Sequence, residues 1–192
     1  SAGKVQMGND GVLGTGIVTP NGGTLSSDNA TARTLTNAVT FSATSTLGDS
    51  VNNGLLTLSG PFDFGAGSRD MTINSDVIIS GTIATNNSLD QKSGPGTLTL
   101  LGINGPIDGA GQWQVEDGKL VVDGGDIDKP NGGIRVNSRV TNGISRIQII
   151  NGATVTMSGG GQSARIGSPG GEVSATNILD LSGTLTWTTN NP

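Results

Sequence analysis

Histidine, cysteine and tyrosine are absent from this 192-residue chain, aromatic residues make up 3% of it and charged residues 13%. Each absence excludes chemistry. Without Cys there are no disulfides, no thiol nucleophile and no thiolate-bound metal. Without His there is no Ser-His-Asp or Cys-His site and no imidazole-bound zinc. The formal net charge of -5 supplies no basic field to gather phosphates, so nucleic acid is not an expected partner. No apolar run approaches the roughly 18 residues that suggest a membrane span, so membrane insertion of this segment is not expected either. The opening "SAGKVQMGND" has neither initiator Met nor signal-peptide core, and the expectation is a processed product or a slice of a larger exported protein or fibre.

What is present is glycine and alternation. The 33 glycines raise the apolar share from 32% to about 49%, inside the ordinary globular range. One domain over residues 1–192 is expected, long enough to bury a continuous core. Period-2 alternation dominates, and no stretch of 11 or more residues holds a 3.6 period. Strands are expected in "GIVTP", "RTLTNAVTFS", "LLTLSG", "MTINSDVIISGTIAT", "GTLTLLG", "QWQVEDGKLVV", "IRVNSRV", "RIQIINGATVTMSG", "ARIG" and "ILDLSGTLTWTT".

The punctuation repeats one grammar of strand, glycine corner, strand: "TPNGGTL" (19–25), "VNNGLLTL" (51–58), "VEDGKLVV" (115–122), "IINGATVTM" (149–157) and "DLSGTLTW" (180–187). Such corners are hairpin signals in isolation. Their recurrence along the whole chain instead points to a β-solenoid, in which each corner turns the chain about an axis and each strand pairs one coil further along. At about 20 residues per coil the chain makes roughly 8 to 10 coils, and at about 4.8 Å per coil a rod on the order of 40 to 50 Å long. A thin lumen filled by stacked Leu, Val, Ile, Ala and Thr explains the scarcity of aromatic residues, and repulsion between stacked like charges explains the uncharged surface.

The runs "MGNDGVLGTGIVTPNGGTLSS" (7–27), "ARTLTNAVTF" (32–41), "GLLTLSGPFDFGAGSRDMTINSDVIISGTI" (54–83), "KSGPGTLTLLG" (92–102) and "VEDGKLVVDGG" (115–125) closely resemble the autotransporter-associated β-strand repeat. The later "RIQIINGATVTMSGGGQSARIGSPGGEVSATNILDLSGTLTW" resembles related coils of large exported bacterial proteins, and residues 126–144 are the least typical. The resemblance implies a right-handed parallel β-helix at the bacterial surface or outside the cell, serving as stalk, fibre, adhesin or display scaffold. It carries over no catalytic residue.

Carboxylate chemistry survives the exclusions. Acids are densest at Asp108, Glu116, Asp117, Asp123, Asp126 and Asp128. "DGGDID" (123–128) gathers three carboxylates, Asp123, Asp126 and Asp128, as a candidate weak Ca²⁺ corner, although it has neither the EF-hand order nor the β-roll repeat. A solvated acidic turn is the competing reading. From Lys129 to Arg165 the chain holds five cations, Lys129, Arg135, Arg139, Arg146 and Arg165, and no acid. They form either cross-coil ion pairs on a solvated face or a patch for acidic glycans or a neighbouring subunit. Alternation places Trp113 with Val115 and Trp187 with Leu185, hence toward the lumen or an end cap rather than on a sugar-stacking surface. "GGGQSARIGSPGGE" (159–172) lacks the G-K-[ST] and helix of a phosphate loop. Asn29 and Asn86 open N-x-[ST] sequons that carry little weight on a bacterial surface.

The expected function is therefore structural, with no enzymatic activity and no cofactor. The strands stack axially, through self-association or continuation of the same chain, because unpaired end strands are templates for pairing. The alternative is a glycan-binding or polysaccharide-cleaving β-helix with a charged lateral groove, whose partners would be host or matrix glycans.

Overall fold

The computed structural model describes residues 3–65, 69–84, 89–107, 112–128, 133–157, 164–167 and 174–187, with the side chains of Leu89, Pro106 and Trp187 excepted. Among these residues there is no helix. Short strands wind into a parallel β-solenoid with three faces, as the alternation and the glycine corners predict.

The first face is an eight-stranded sheet: Lys4–Met7, Thr24–Ser27, Ser45–Leu47, Arg69–Ile73, Leu89–Ser93, Trp113–Val115, Ile134–Val136 and Ala164–Ile166. The second is seven-stranded: Arg33–Leu35, Leu56–Leu58, Val77–Ile79, Thr97–Leu101, Gly118–Asp123, Ile144–Ile150 and Thr176–Leu181. The third comes in two pieces. Val39–Thr40 and Phe62–Asp63 pair early in the chain, extended by single bridges to Val18 and Ile83. Gly105–Pro106, Asp126–Asp128, Thr154–Met157 and Thr184–Trp187 pair later. Every strand pairs in parallel with its counterpart one coil along, as in Leu98 with Leu120 and Leu120 with Ile147.

Coil length varies. Lys4 pairs with Thr24, whereas Ile134 pairs with Ala164 thirty residues on. The eight strands of the first face mark seven axial steps, slightly fewer than the 8 to 10 coils expected from a uniform length. The longer coils absorb extra residues in their corners.

Burial follows the alternation. In Ile144–Ile150, Ser145, Ile147 and Ile149 are buried while their neighbours are not. Inward columns stack like on like: Leu56, Val77, Leu98, Leu120 and Ile147 form one along the second face, all of them fully buried. Each such aliphatic side chain contributes roughly 1.5–3 kcal/mol of transfer free energy. In the early coils Phe41, Phe62 and Phe64 form an edge-to-face ladder with ring centroids 5.4 and 5.0 Å apart.

The corner glycines act in two ways. Gly118, at φ 66°, takes a left-handed conformation that a side chain would strain. Gly54 has no such φ, but a Cβ there would collide with the Thr31 carbonyl of the preceding coil. One glycine bends the chain; the other lets two coils approach.

Candidate functional site

Alternation sends one set of side chains into the lumen and the other to solvent, so outward residues of successive coils form axial columns. On the first face one column reads Asp70, Gln91, Gln114, Arg135 and Arg165. On the second face another reads Thr97, Lys119, Arg146 and Ile178. Adjacent strands lie about 4.8 Å apart, so each column directly opposes two cations.

The five expected cations thus do not make one patch. Arg135 and Arg165 share the first face, where Arg135 Nη1 donates to Gln114 Oε1 at 3.5 Å. Arg146 sits on the second face beside Lys119, a cation that sequence order does not group with the others. Arg139 is an ion-paired residue, its Nε 2.8 Å from Glu116 Oε1. Lys129 lies outside the described residues. Around Lys119 and Arg146 is a surface cleft of about 400 Å³, lined also by Pro95, Thr97, Asp117 and Ile144. Asp117 Oδ1 accepts the Gly118 N–H at 2.9 Å, which ties that carboxylate to its own turn.

The candidate Ca²⁺ corner of Asp123, Asp126 and Asp128 is divided by its glycines between two faces. Gly124 and Gly125, at φ 67° and 79°, turn the chain after Asp123 from the second face to the third. Asp123 accepts a hydrogen bond from Asn151 Nδ2 at 2.6 Å. Asp126 and Asp128 flank the buried Ile127 and point outward on the next strand. Among the described residues no group of three or more carboxylates is gathered to hold a metal ion. Asp108, like Asn86 and most of 159–172, lies outside the described residues.

Trp113 is buried, 1% exposed, as its alternation with Val115 predicts. For Trp187 the backbone pairing with Met157 is described and the side chain is not. Asn29 is exposed, with its Oδ1 accepting the Thr31 N–H at 2.6 Å.

One ionisable residue stands where no sequence signal marked it. Lys92 occupies an inward column between Met71 and Val115 and is fully buried. Its Nζ donates to the Gly94 carbonyl at 2.5 Å and the Asp117 carbonyl at 2.7 Å, bridging two successive corners. Burial pushes its pKa down to about 7 against the opposing pull of Asp117 and Asp76. A neutral amine has two N–H bonds, one for each carbonyl. The alternation of "LDQKS" was the available signal, but it carries no apolar residue at that position to reveal the strand's inner side.

Among the described acids, two have shifted pKa values. The Asp49 carboxyl is held down to about 2, first by Lys4 and then by the backbone N–H groups of Asn52 and Val51. The Asp70 carboxyl is pushed up by burial and by the nearby Asp90.

No known family model matches the chain, and neither a curated protein nor a solved structure matches it.

Proposed function

We propose that this chain is a structural element: an extracellular, bacterial-surface rod that serves as stalk, fibre or display scaffold and has no catalytic role. The observation that carries the reading is the continuity of the ladders. Strands of the first and second faces pair coil after coil in one direction, and the core runs along the axis as stacked columns. In a repeat architecture of this kind each unit is stabilised by its neighbours, so length is added without a new core having to be designed. What supports the surface location and the adhesin-like setting is the resemblance of the runs 7–27, 32–41, 54–83, 92–102 and 115–125 to the autotransporter-associated β-strand repeat. The Lys92 amine is committed to two backbone carbonyls and the Asp117 carboxylate to the Gly118 N–H, which fits a structural role.

The test is electron microscopy and fibre diffraction of the native material. Uniform rods with a meridional spacing near 4.8 Å support the reading; compact particles with no axial repeat rule it out.

A second reading has one observation in its favour. Lys119 and Arg146 are opposed on adjacent coils beside a cleft, an arrangement of like charges that costs stability unless an anion offsets it. We propose acidic host or matrix glycans as its ligand class. Retention on an acidic-polysaccharide column, lost in the Lys119→Ala, Arg146→Ala double variant, supports it; equal elution of both proteins sinks it.

A further inference from the structure

Three Asp-Gly pairs lie among the described residues: Asp10-Gly11, Asp117-Gly118 and Asp123-Gly124. In such a pair the side-chain carboxyl and the next backbone nitrogen react when the fold lets them meet. Two of the three are held apart. Asp10 Oδ1 accepts the Thr34 N–H at 2.9 Å while the Gly11 N–H donates to Asn9 Oδ1 at 3.0 Å. Asp123 Oδ1 accepts a hydrogen bond from Asn151 Nδ2 at 2.6 Å while the Gly124 N–H donates to the Ile150 carbonyl at 3.2 Å. Asp117 differs: its Oδ1 lies 2.9 Å from the nitrogen of Gly118.

The buried lysine bears on the same peptide. Lys92 Nζ, on a fully buried side chain, donates to the Asp117 carbonyl at 2.7 Å. That carbonyl and the Gly118 nitrogen belong to one resonant amide. When the nitrogen gives up its proton, the charge spreads onto the Asp117 oxygen, where a donor already in place stabilises it. Position 118 has room for glycine alone, since a Cβ there would lie 2.6 Å from Lys92 Nζ and from the Gly94 and Gly96 carbonyls. The nitrogen is therefore not screened by a side chain of its own. On its outer side Asp117 lines the cleft beside Lys119 and Arg146, which admits water.

We infer that Asp117-Gly118 is a self-modification site, at which the Gly118 nitrogen closes onto the Asp117 side chain and the corner isomerises to isoaspartate. The nitrogen bonds to Cγ of the neutral carboxyl; the amide proton and the carboxyl hydroxyl leave as water, and a five-membered succinimide results. Water then adds to one of the two ring carbonyls. Addition at Cγ breaks the new N–Cγ bond and restores aspartate. Addition at the backbone carbonyl carbon breaks the original peptide bond and leaves Gly118 joined through Cγ. Water is the only co-reactant, and the net charge of the chain is unchanged. In the isomer the former backbone carbonyl is a carboxylate. The oxygen that Lys92 Nζ meets as a neutral acceptor thus becomes one half of an ion pair, and an opposite charge at that distance favours the ammonium. The product gives the buried amine a counter-ion, so the folded chain retains the isomer. This chemistry is independent of the rod reading and of any glycan in the cleft.

The test is incubation of the folded full-length chain in water enriched in heavy oxygen, followed by digestion in ordinary water and peptide mass spectrometry. Each passage through the ring leaves one heavy oxygen in the product, and backbone fragmentation assigns it to a position and tells isoaspartate from aspartate. Asp117 should label roughly tenfold faster than Asp10 or Asp123, because its reacting groups are held together, and isoaspartate should be the main product. Equal labelling of the three pairs, or none at Asp117, overturns the inference. In guanidinium chloride the three should label at similar rates; a preference for Asp117 that persists there belongs to the local sequence and equally overturns it. Lys92→Met should slow labelling at Asp117 about tenfold and leave Asp10 and Asp123 as in the parent chain, whereas an unchanged rate at Asp117 removes Lys92 from the site. The comparison of folded and denatured chain needs no variant, so it decides even where Lys92→Met does not fold.

Discussion

The early coils, residues 24–84, and the later ones, residues 89–187, share the first and second faces without interruption but build the third differently. The early third face is backed by rings: Phe41, Phe62 and Phe64 stack edge to face in the lumen. The later one is backed by the aliphatic column of Ile127 and Val155. Outside, the N-terminal coils match charges, Lys4 with Asp49 and Arg33 with Asp28. The later coils pair Arg139 with Glu116 but also oppose like charges, Arg135 with Arg165 and Lys119 with Arg146. Lys92 is buried on the first strand of the later group. The backbone ladder is thus a common frame that accepts different fillings and different surfaces. Its hydrogen bonds do not depend on side-chain identity, whereas packing and charge must be solved coil by coil.

The sharpest way to break the contrast is Phe62→Ala. It removes the ring at the centre of the edge-to-face ladder and should cost about 3–5 kcal/mol, read as a lower urea midpoint at unchanged slope. Ile127→Ala, its aliphatic counterpart, should cost about 2–5 kcal/mol, with the aromatic site at or above it. A larger loss at Ile127 would mean that the later third face, not the aromatic one, anchors the lumen.

Lys92 comes next. Its pKa is about 7 when folded against 10.5 unfolded, so between those values the unfolded chain binds more protons. Stability should therefore rise as pH rises from about 7 to about 10, by an amount on the order of a few kcal/mol, and level off below 7. Lys92→Met should flatten that rise. A wild-type pH profile in the Lys92→Met variant would assign the effect to another group.

The Asp49 carboxylate works in the opposite direction and through a smaller effect. Its folded pKa of about 2 lies below the ordinary 3.8, so its stabilisation is present above pH 4 and is lost as pH falls from about 4 to 2. Thermal melting of Asp49→Asn should show a shallower acid limb than wild type; identical limbs would mean the pair with Lys4 is not formed in solution. The smallest effect is expected at Arg165→Glu, which converts an opposed pair of cations with Arg135 into a cross-strand ion pair. It should gain about 0.2–1 kcal/mol and lose that gain in high salt.

Much of the fold was legible. "GTLTLLG" and "RIQIINGATVTM" alternate cleanly and appear as the strands Thr97–Leu101, Ile144–Ile150 and Thr154–Met157. The strands Lys4–Met7, Thr24–Ser27, Ser45–Leu47 and Leu89–Ser93 are not among those the sequence pattern predicts. Their inner sides include Ser27, Ser45 and Lys92, which are polar yet buried, so the apolar signal on which alternation depends is missing. These segments are strands because neighbouring coils supply the ladder. The candidate cations were legible as residues and not as a site: Arg139 went to Glu116 and Arg146 to Lys119, pairings that cross a coil.

By itself, then, the sequence determined the class of architecture, because alternation and glycine corners act on a few residues at a time. It also excluded imidazole and thiol chemistry by composition. The tertiary structure decided which outward residues oppose each other, where Lys92 is buried and how the acidic corner is divided between two faces. Those follow from register, and register depends on the lengths of the corners between coils. A coil that runs from Lys4 to Thr24 and one that runs from Ile134 to Ala164 place their residues by contacts across the whole turn, which no local pattern encodes.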